Sequence, residues 1–216
     1  MKKIFTVLLV LVLALSLAIT GCAPKAPAPE KEGEPAPTEA KILRTNNSSE
    51  PGSLDPPLAQ GTHESWILDH TFEGLMKIDP SFKVVHGMAK DHKISDDNLT
   101  YTFTLRDDIK WSNGDPVTAY DFEYAWKRAL DPDMASDYAH QLYYLKGGEA
   151  YNSGEGSVDD VQVKALDDKT LECTLEAPTA YFLELTAFFT LYPVNKKVAE
   201  ANPDWAKNAA THVSNG

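Results

Sequence analysis

A chain of 216 residues with 43% hydrophobic and 24% charged side chains is long enough to bury a sizeable core and too apolar to stay disordered. Its net charge of -12 argues against a phosphate backbone as partner, so nucleic acid is not expected as a ligand. The two cysteines, Cys22 after an apolar run and Cys173 inside a strand-like segment, are not expected to pair, and Cys173 reads as a small buried apolar residue.

Lys2 and Lys3 precede an apolar stretch over residues 4–19 that is short for a resident membrane helix and has the order of a secretory leader. Residues 1–21 are therefore read as a signal peptide. The run ends in Ile19, Thr20, Gly21 and Cys22, which resembles the bacterial lipobox, and that resemblance implies acylation of the Cys22 thiol. Two acyl chains, each contributing about 0.8 kcal/mol per buried methylene, would anchor the protein at the outer face of the cell membrane without a protein span. Residues 22–40 follow with alternating Pro and Ala and no apolar period, the composition of a stiff tether that holds a folded body off the bilayer. Residues 41–216 are left to form the fold.

In that body, elements of both kinds are predicted, with no internal repeat, giving an α/β (mixed α+β) class. Tyr101, Thr102, Phe103, Thr104 and Leu105 alternate with the period of a half-buried strand. Asn113, Gly114, Asp115 and Pro116 predict a turn. Thr118 then stands where a helix cap belongs, with Asp121 three residues on. Phe122, Ala125, Trp126, Ala129 and Leu130 make one apolar stripe, so Trp111 and Trp126 are assigned to the core, and Asp131 with Pro132 stops the helix. Two strand patterns flank Asp167 and Asp168 and predict a hairpin. Beyond Pro178 the chain is expected to turn helical over residues 179–188; with apolar residues on more than one face, that stretch should be core or should cover a cleft.

Several of these segments together resemble the oligopeptide-binding branch of the bacterial extracellular solute-binding proteins. The resemblance is carried by Ser53-Leu54-Asp55-Pro56, by Phe72-Glu73-Gly74-Leu75, and above all by the unbroken block from Lys110 and Trp111 through Pro116, Val117 and Thr118 to Asp121 and Phe122. It implies the first lobe of a two-lobed periplasmic-binding-protein-like clamshell that closes on an extended peptide. The chain would then be the N-terminal part of such a protein, without most of the second lobe. The resemblance further implies a substrate-binding lipoprotein of an ABC importer, with a short peptide as ligand and a permease and ATPase complex as partners. It assigns peptide contacts to Gln60, Gly61 and Thr62, whose backbone would pair with the peptide like an added strand, and to Tyr138, whose ring would line the cleft. Gly61 also fits an ordinary turn, and Tyr138 a partly buried residue at a helix start.

No catalytic or cofactor motif competes: the carboxylates are not concentrated, and GxSxG, HExxH and glycine-rich phosphate patterns are absent from the sequence. An enzyme is therefore not expected, nor a cofactor. Two alternatives stay open, a signalling-peptide receptor lipoprotein and a binder of nickel or haem. The histidines are scattered, and of them only His63 and His70, seven residues apart, are placed to share a helix face.

Overall fold

The computed structural model describes residues 42–216, so Cys22, the leader and the tether lie outside the described residues. From Asn46 to Gly216 the chain forms one unit. It runs through helix α1 (Thr62–Thr71), strands β1 (Met76–Ile78), β2 (Val84–His86), β3 (Ala89–Ile94) and β4 (Thr100–Leu105), then helices α2 (Ala119–Ala129) and α3 (Gly148–Asn152). Strands β5 (Val163–Asp167) and β6 (Thr170–Thr174) follow, and helices α4 (Phe182–Leu185) and α5 (Lys196–Ala201) come last. Among the described residues no helix is long and apolar enough to cross a membrane.

The alternating pattern of β4 does what its period requires. Tyr101, Phe103 and Leu105 are buried while Thr100, Thr102 and Thr104 are half covered, because successive side chains of a strand leave opposite faces. β4 is central in an antiparallel sheet of order β3-β4-β6-β5, with Phe103 opposite His92 on one side and Leu171 on the other. The predicted hairpin is β5 and β6, in which Val163 faces Cys173. Cys173 is buried and free, and burial raises its thiol pKa far above the usual range, so it is an unreactive core residue. β1 and β2 form a separate two-stranded ribbon.

Helix α2 covers the sheet through its predicted stripe, with Phe122, Ala125, Trp126 and Ala129 all buried. Its start is set by Asp121, whose Oδ2 accepts from the Thr118 backbone N–H at 2.9 Å and from Thr118 Oγ1 at 3.0 Å. The same oxygen accepts from Trp111 Nε1 at 3.3 Å, which ties the preceding turn to the helix. Burial of Asp121 raises its pKa, and these donors work against that rise. In the turn, Gly114 has φ +92, a conformation open to glycine at little cost. At the sheet edge, Glu123 Oε2 of α2 accepts from the Ala165 N–H at 2.8 Å, where the β5 register shifts.

The segment after Pro178 departs from its expectation. Helix α4 holds only four residues, and Phe188 is extended before a 3-10 turn over Phe189–Leu191. Thr186 Oγ1 donates back to the Leu183 carbonyl, a side-chain bond that competes with helix continuation. Phe182, Thr186 and Phe189 are buried.

Candidate functional site

The sequence-predicted residues come together at one place, the loop that enters α1. Two prolines shape it: Pro56 and Pro57 are buried in a short 3-10 turn, Pro56–Leu58, which has Asp55 in front and the extended Ala59 behind. Asp55 is buried, and both of its carboxylate oxygens are taken by Arg128 on the last turn of α2, at 2.9 and 2.8 Å. A two-pronged guanidinium contact of this kind fixes direction as well as distance. Ser136 Oγ donates to the Pro57 carbonyl at 2.5 Å, and Tyr138 Oη reaches the Gln60 carbonyl at 3.4 Å. The loop is thus pinned along its length from the segment after α2.

Gln60 is exposed, and Gly61 is extended at φ -138 and ψ 176, a conformation open to any residue. A Cβ at 61 would lie 2.8 Å from His63 Cε1 and 2.9 Å from Glu64 Oε2, so a larger residue there would push those two side-chain ends aside. Glu64 is itself buried, and its Oε1 accepts from the Gly52 N–H at 2.7 Å and pairs with His63 Nε2 at 2.9 Å. Thr62 is the first residue of α1 rather than part of an extended strand, so the stretch is two extended residues leading into a helix start. Among the described residues, the N–H groups of Gln60, Gly61 and Thr62 have no acceptor, and Gln60 and Thr62 are exposed. Successive N–H groups of an extended chain point to opposite sides, and the Thr62 N–H is one of the unpaired donors that a helix start leaves, so an added chain would pair with alternate groups only.

Beside this edge stands Tyr138, half buried. Its ring meets Phe188 edge-on at 5.3 Å and Phe189 at 5.5 Å, so the part of the expected helix that fails to form instead props the tyrosine. A groove of about 670 Å3 lies elsewhere, along α2 between Tyr120, Tyr124, Arg128, Tyr151 and Lys196. Gln60, Gly61, Thr62 and Tyr138 do not line it.

Over residues 83–216 the sequence matches the family described as Bacterial extracellular solute-binding proteins, family 5 Middle. The chain belongs to this family. As a family 5 solute-binding protein it is 55% identical over 175 residues to the oligopeptide-binding protein OppA of Bacillus subtilis (strain 168), a match that covers 81% of this chain and 32% of that relative. Its fold is similar to the substrate-binding domain of an oligopeptide ABC transporter from Bacillus anthracis, with a TM-score of 0.77 and 43% identity over 80% of this chain and 33% of that one. It is also similar to Listeria monocytogenes OppA bound to peptide, with a TM-score of 0.74 and 40% identity over 76% of this chain and 33% of that one. The chain spans about a third of the length of these relatives. The mixed α and β architecture predicted from the sequence is therefore that of a part of a family 5 protein.

Other groups in this family 5 chain were legible in part. Trp111 and Trp126 are buried, as their spacing implies, and Trp126 Nε1 donates to the Leu191 carbonyl at 2.8 Å. His63 and His70 both lie on α1, but each is engaged locally, His63 with Glu64 and His70 Nδ1 with the Trp66 carbonyl at 2.6 Å. Among the described residues no group of three or more His, Cys, Asp or Glu is placed to hold a metal ion. His63 and His70 are on one helix, as their spacing implies, while a further pair, His86 and His92, is in contact across the corner between β2 and β3, which no spacing in the sequence indicates. Sequence reasoning also missed Arg128, Ser136 and Glu64, whose roles depend on contacts across the fold. Its one available signal was the Asp of the Ser53-Leu54-Asp55-Pro56 segment, an acid amid apolar and proline neighbours that calls for a partner.

Proposed function

We propose that this chain is the peptide-contacting part of a solute-binding lipoprotein that captures short peptides outside the membrane and hands them to an ABC permease and ATPase complex. The observation that carries this reading is the exposed, extended approach to α1 at Gln60 and Gly61, with unpaired backbone N–H groups there and at Thr62, tied down by the Asp55–Arg128 pair and flanked by Tyr138. Such an edge reads groups that every peptide carries, so it gives affinity without demanding a sequence. Capture by this edge needs no catalytic group, and the protein binds and releases its ligand unchanged. The names of its relatives, an oligopeptide-binding protein and a structure bound to peptide, support the same substrate class. The lipobox-like Cys22 and the tether behind it support a location at the outer face of the cell membrane.

Because the chain spans about a third of its relatives, the test uses a chimera in which residues 42–216 replace the matching third of the Bacillus subtilis relative. Titration calorimetry should show binding of short peptides. Tight uptake of nickel or haem, with no peptide bound, would overturn the substrate class.

A further inference from the structure

Resting on the reading of the approach to α1 as a peptide-capturing edge, we propose that Glu64 is its positioning residue: the buried carboxylate takes up the inward N–H of Gly61 and so turns those of Gln60 and Thr62 toward the ligand. In an extended chain, successive N–H groups leave opposite sides. Gln60 and Thr62 are exposed, whereas Gly61 between them is half buried and lies against Glu64. A Cβ at Gly61 would stand 2.9 Å from Glu64 Oε2, which puts that oxygen beside the Gly61 backbone.

Glu64 is suited to this by its place in the helix and by the work of its other oxygen. Gly61 is the N-cap of α1 and Glu64 the third residue of the helix, the spacing at which a Glu side chain reaches back to the N-cap N–H. Oε1 is engaged twice, by the Gly52 N–H at 2.7 Å and by His63 Nε2 at 2.9 Å. The side chain is 4% exposed, and among the described residues Oε2 has no hydrogen-bond partner. A buried carboxylate oxygen without a donor is costly, and the Gly61 N–H, itself without an acceptor among the described residues, is the donor that the capping position offers.

A small turn of the peptide plane before Gly61 joins the two. The bond takes nothing from the ligand, because this N–H faces away from the side on which a peptide adds. It fixes the rotation of the chain about its own axis, so the outward donors of Gln60 and Thr62 are already ordered when a peptide arrives. Oε1, through Gly52, ties the same carboxylate to the loop in front.

The bond is read without ligand by amide proton NMR of the full chain. The Gly61 amide proton should shift as the carboxylate takes up a proton in acid. That response should vanish in Glu64→Gln, whose side-chain oxygen keeps the Gly52 bond while its NH2 group cannot accept. A carboxylate that only braces the loop would give its acid response at Gly52 and none at Gly61. In the chimera with the Bacillus subtilis relative, calorimetry with trialanine and with trilysine should show Glu64→Gln weakening both by a similar factor of about tenfold, the size of one hydrogen bond to a charged group. A Gly61 amide without the acid response, one whose response survives in Glu64→Gln, or a Glu64→Gln chimera that binds both peptides as the parent does, would overturn the role of Glu64. A parent chimera that binds neither peptide would overturn the capture reading on which that role rests, and the amide response of the chain tells the two failures apart.

Discussion

Arg128 Nη1 and Nη2 donate to the two carboxylate oxygens of Asp55 at 2.9 and 2.8 Å, so the last turn of α2 fixes the loop ahead of α1 across 73 residues of sequence. Asp55 is 3% exposed and Arg128 17%. Removing one partner of such a pair strands the other charge away from water. Arg128→Ala should therefore destabilise the fold by on the order of 3 kcal/mol in urea denaturation, and Arg128→Lys by less, because the lysine keeps the charge but loses the fork. A loss under about 0.5 kcal/mol for Arg128→Ala, the size expected of a surface change, would mean that the pair does not hold the loop.

Tyr138 joins the loop to the aromatic pair behind it, touching the Gln60 carbonyl with its hydroxyl and Phe188 and Phe189 with its ring. In the chimera, Tyr138→Ala should weaken peptide binding by about 1–2 kcal/mol, in the range of an interface aromatic. Tyr138→Phe keeps the ring and should retain most of the affinity. Equal losses in the two variants would place the effect in the hydroxyl and not in packing.

What the sequence made legible follows from how local each signal is. The strand holding Tyr101, Phe103 and Leu105 and the helix opened by Thr118 and Asp121 are set by neighbours within a few residues, and both appear where the pattern puts them. The stretch from Thr179 to Phe188 misleads because its apolar composition fits a helix, while Thr186 and the extended Phe188 divert the chain. At the candidate site, Gln60, Gly61 and Thr62 were named through a family resemblance, and their closeness to Tyr138 is a property of the fold. The partners that hold them, Arg128, Ser136 and Glu64, and the His86–His92 pair meet through tertiary packing, which no spacing rule encodes.

His212 gives the fold an acid-sensitive point. Its ring stacks on Trp205 and meets Phe72 edge-on, its Nε2 is buried without a partner, and burial lowers its pKa below the ordinary 6.5, with a backbone hydrogen bond to Leu54 and the charge of Asp55 opposing. His92 is lowered as well, by burial first and by His86 second, against Asp91. Such groups take up a proton in the unfolded chain before the folded one, so their contribution is full above pH 6.5 and is lost as pH falls below it. Denaturation at about pH 7.5 and about pH 5.5 should show lower stability at the acid value. In His212→Phe that fall should shrink; an unchanged fall would assign the acid sensitivity to other groups.

The anchor is tested in the cell. Metabolic labelling with a palmitate analogue should mark the protein, and Cys22→Ser should abolish the label and release the protein from the membrane fraction. Persistent label on Cys22→Ser would refute the lipobox reading of Ile19, Thr20, Gly21 and Cys22.

Backbone reading at the edge before α1 is most directly measured by calorimetry of the chimera and its Thr62→Pro variant against a panel of short peptides with unrelated sequences. Position 62 is the first residue of α1, where proline suits the helix, and the extended Gly61 before it is compatible with a following proline. The substitution should therefore leave Tm unchanged while removing one free backbone donor. The expected result is a set of affinities within about tenfold of one another, all reduced by a similar factor in the variant, since a net hydrogen bond contributes about 0.5–1.5 kcal/mol. Affinities spread over several orders of magnitude, or a Thr62→Pro chimera that binds every peptide as the parent does, would contradict it.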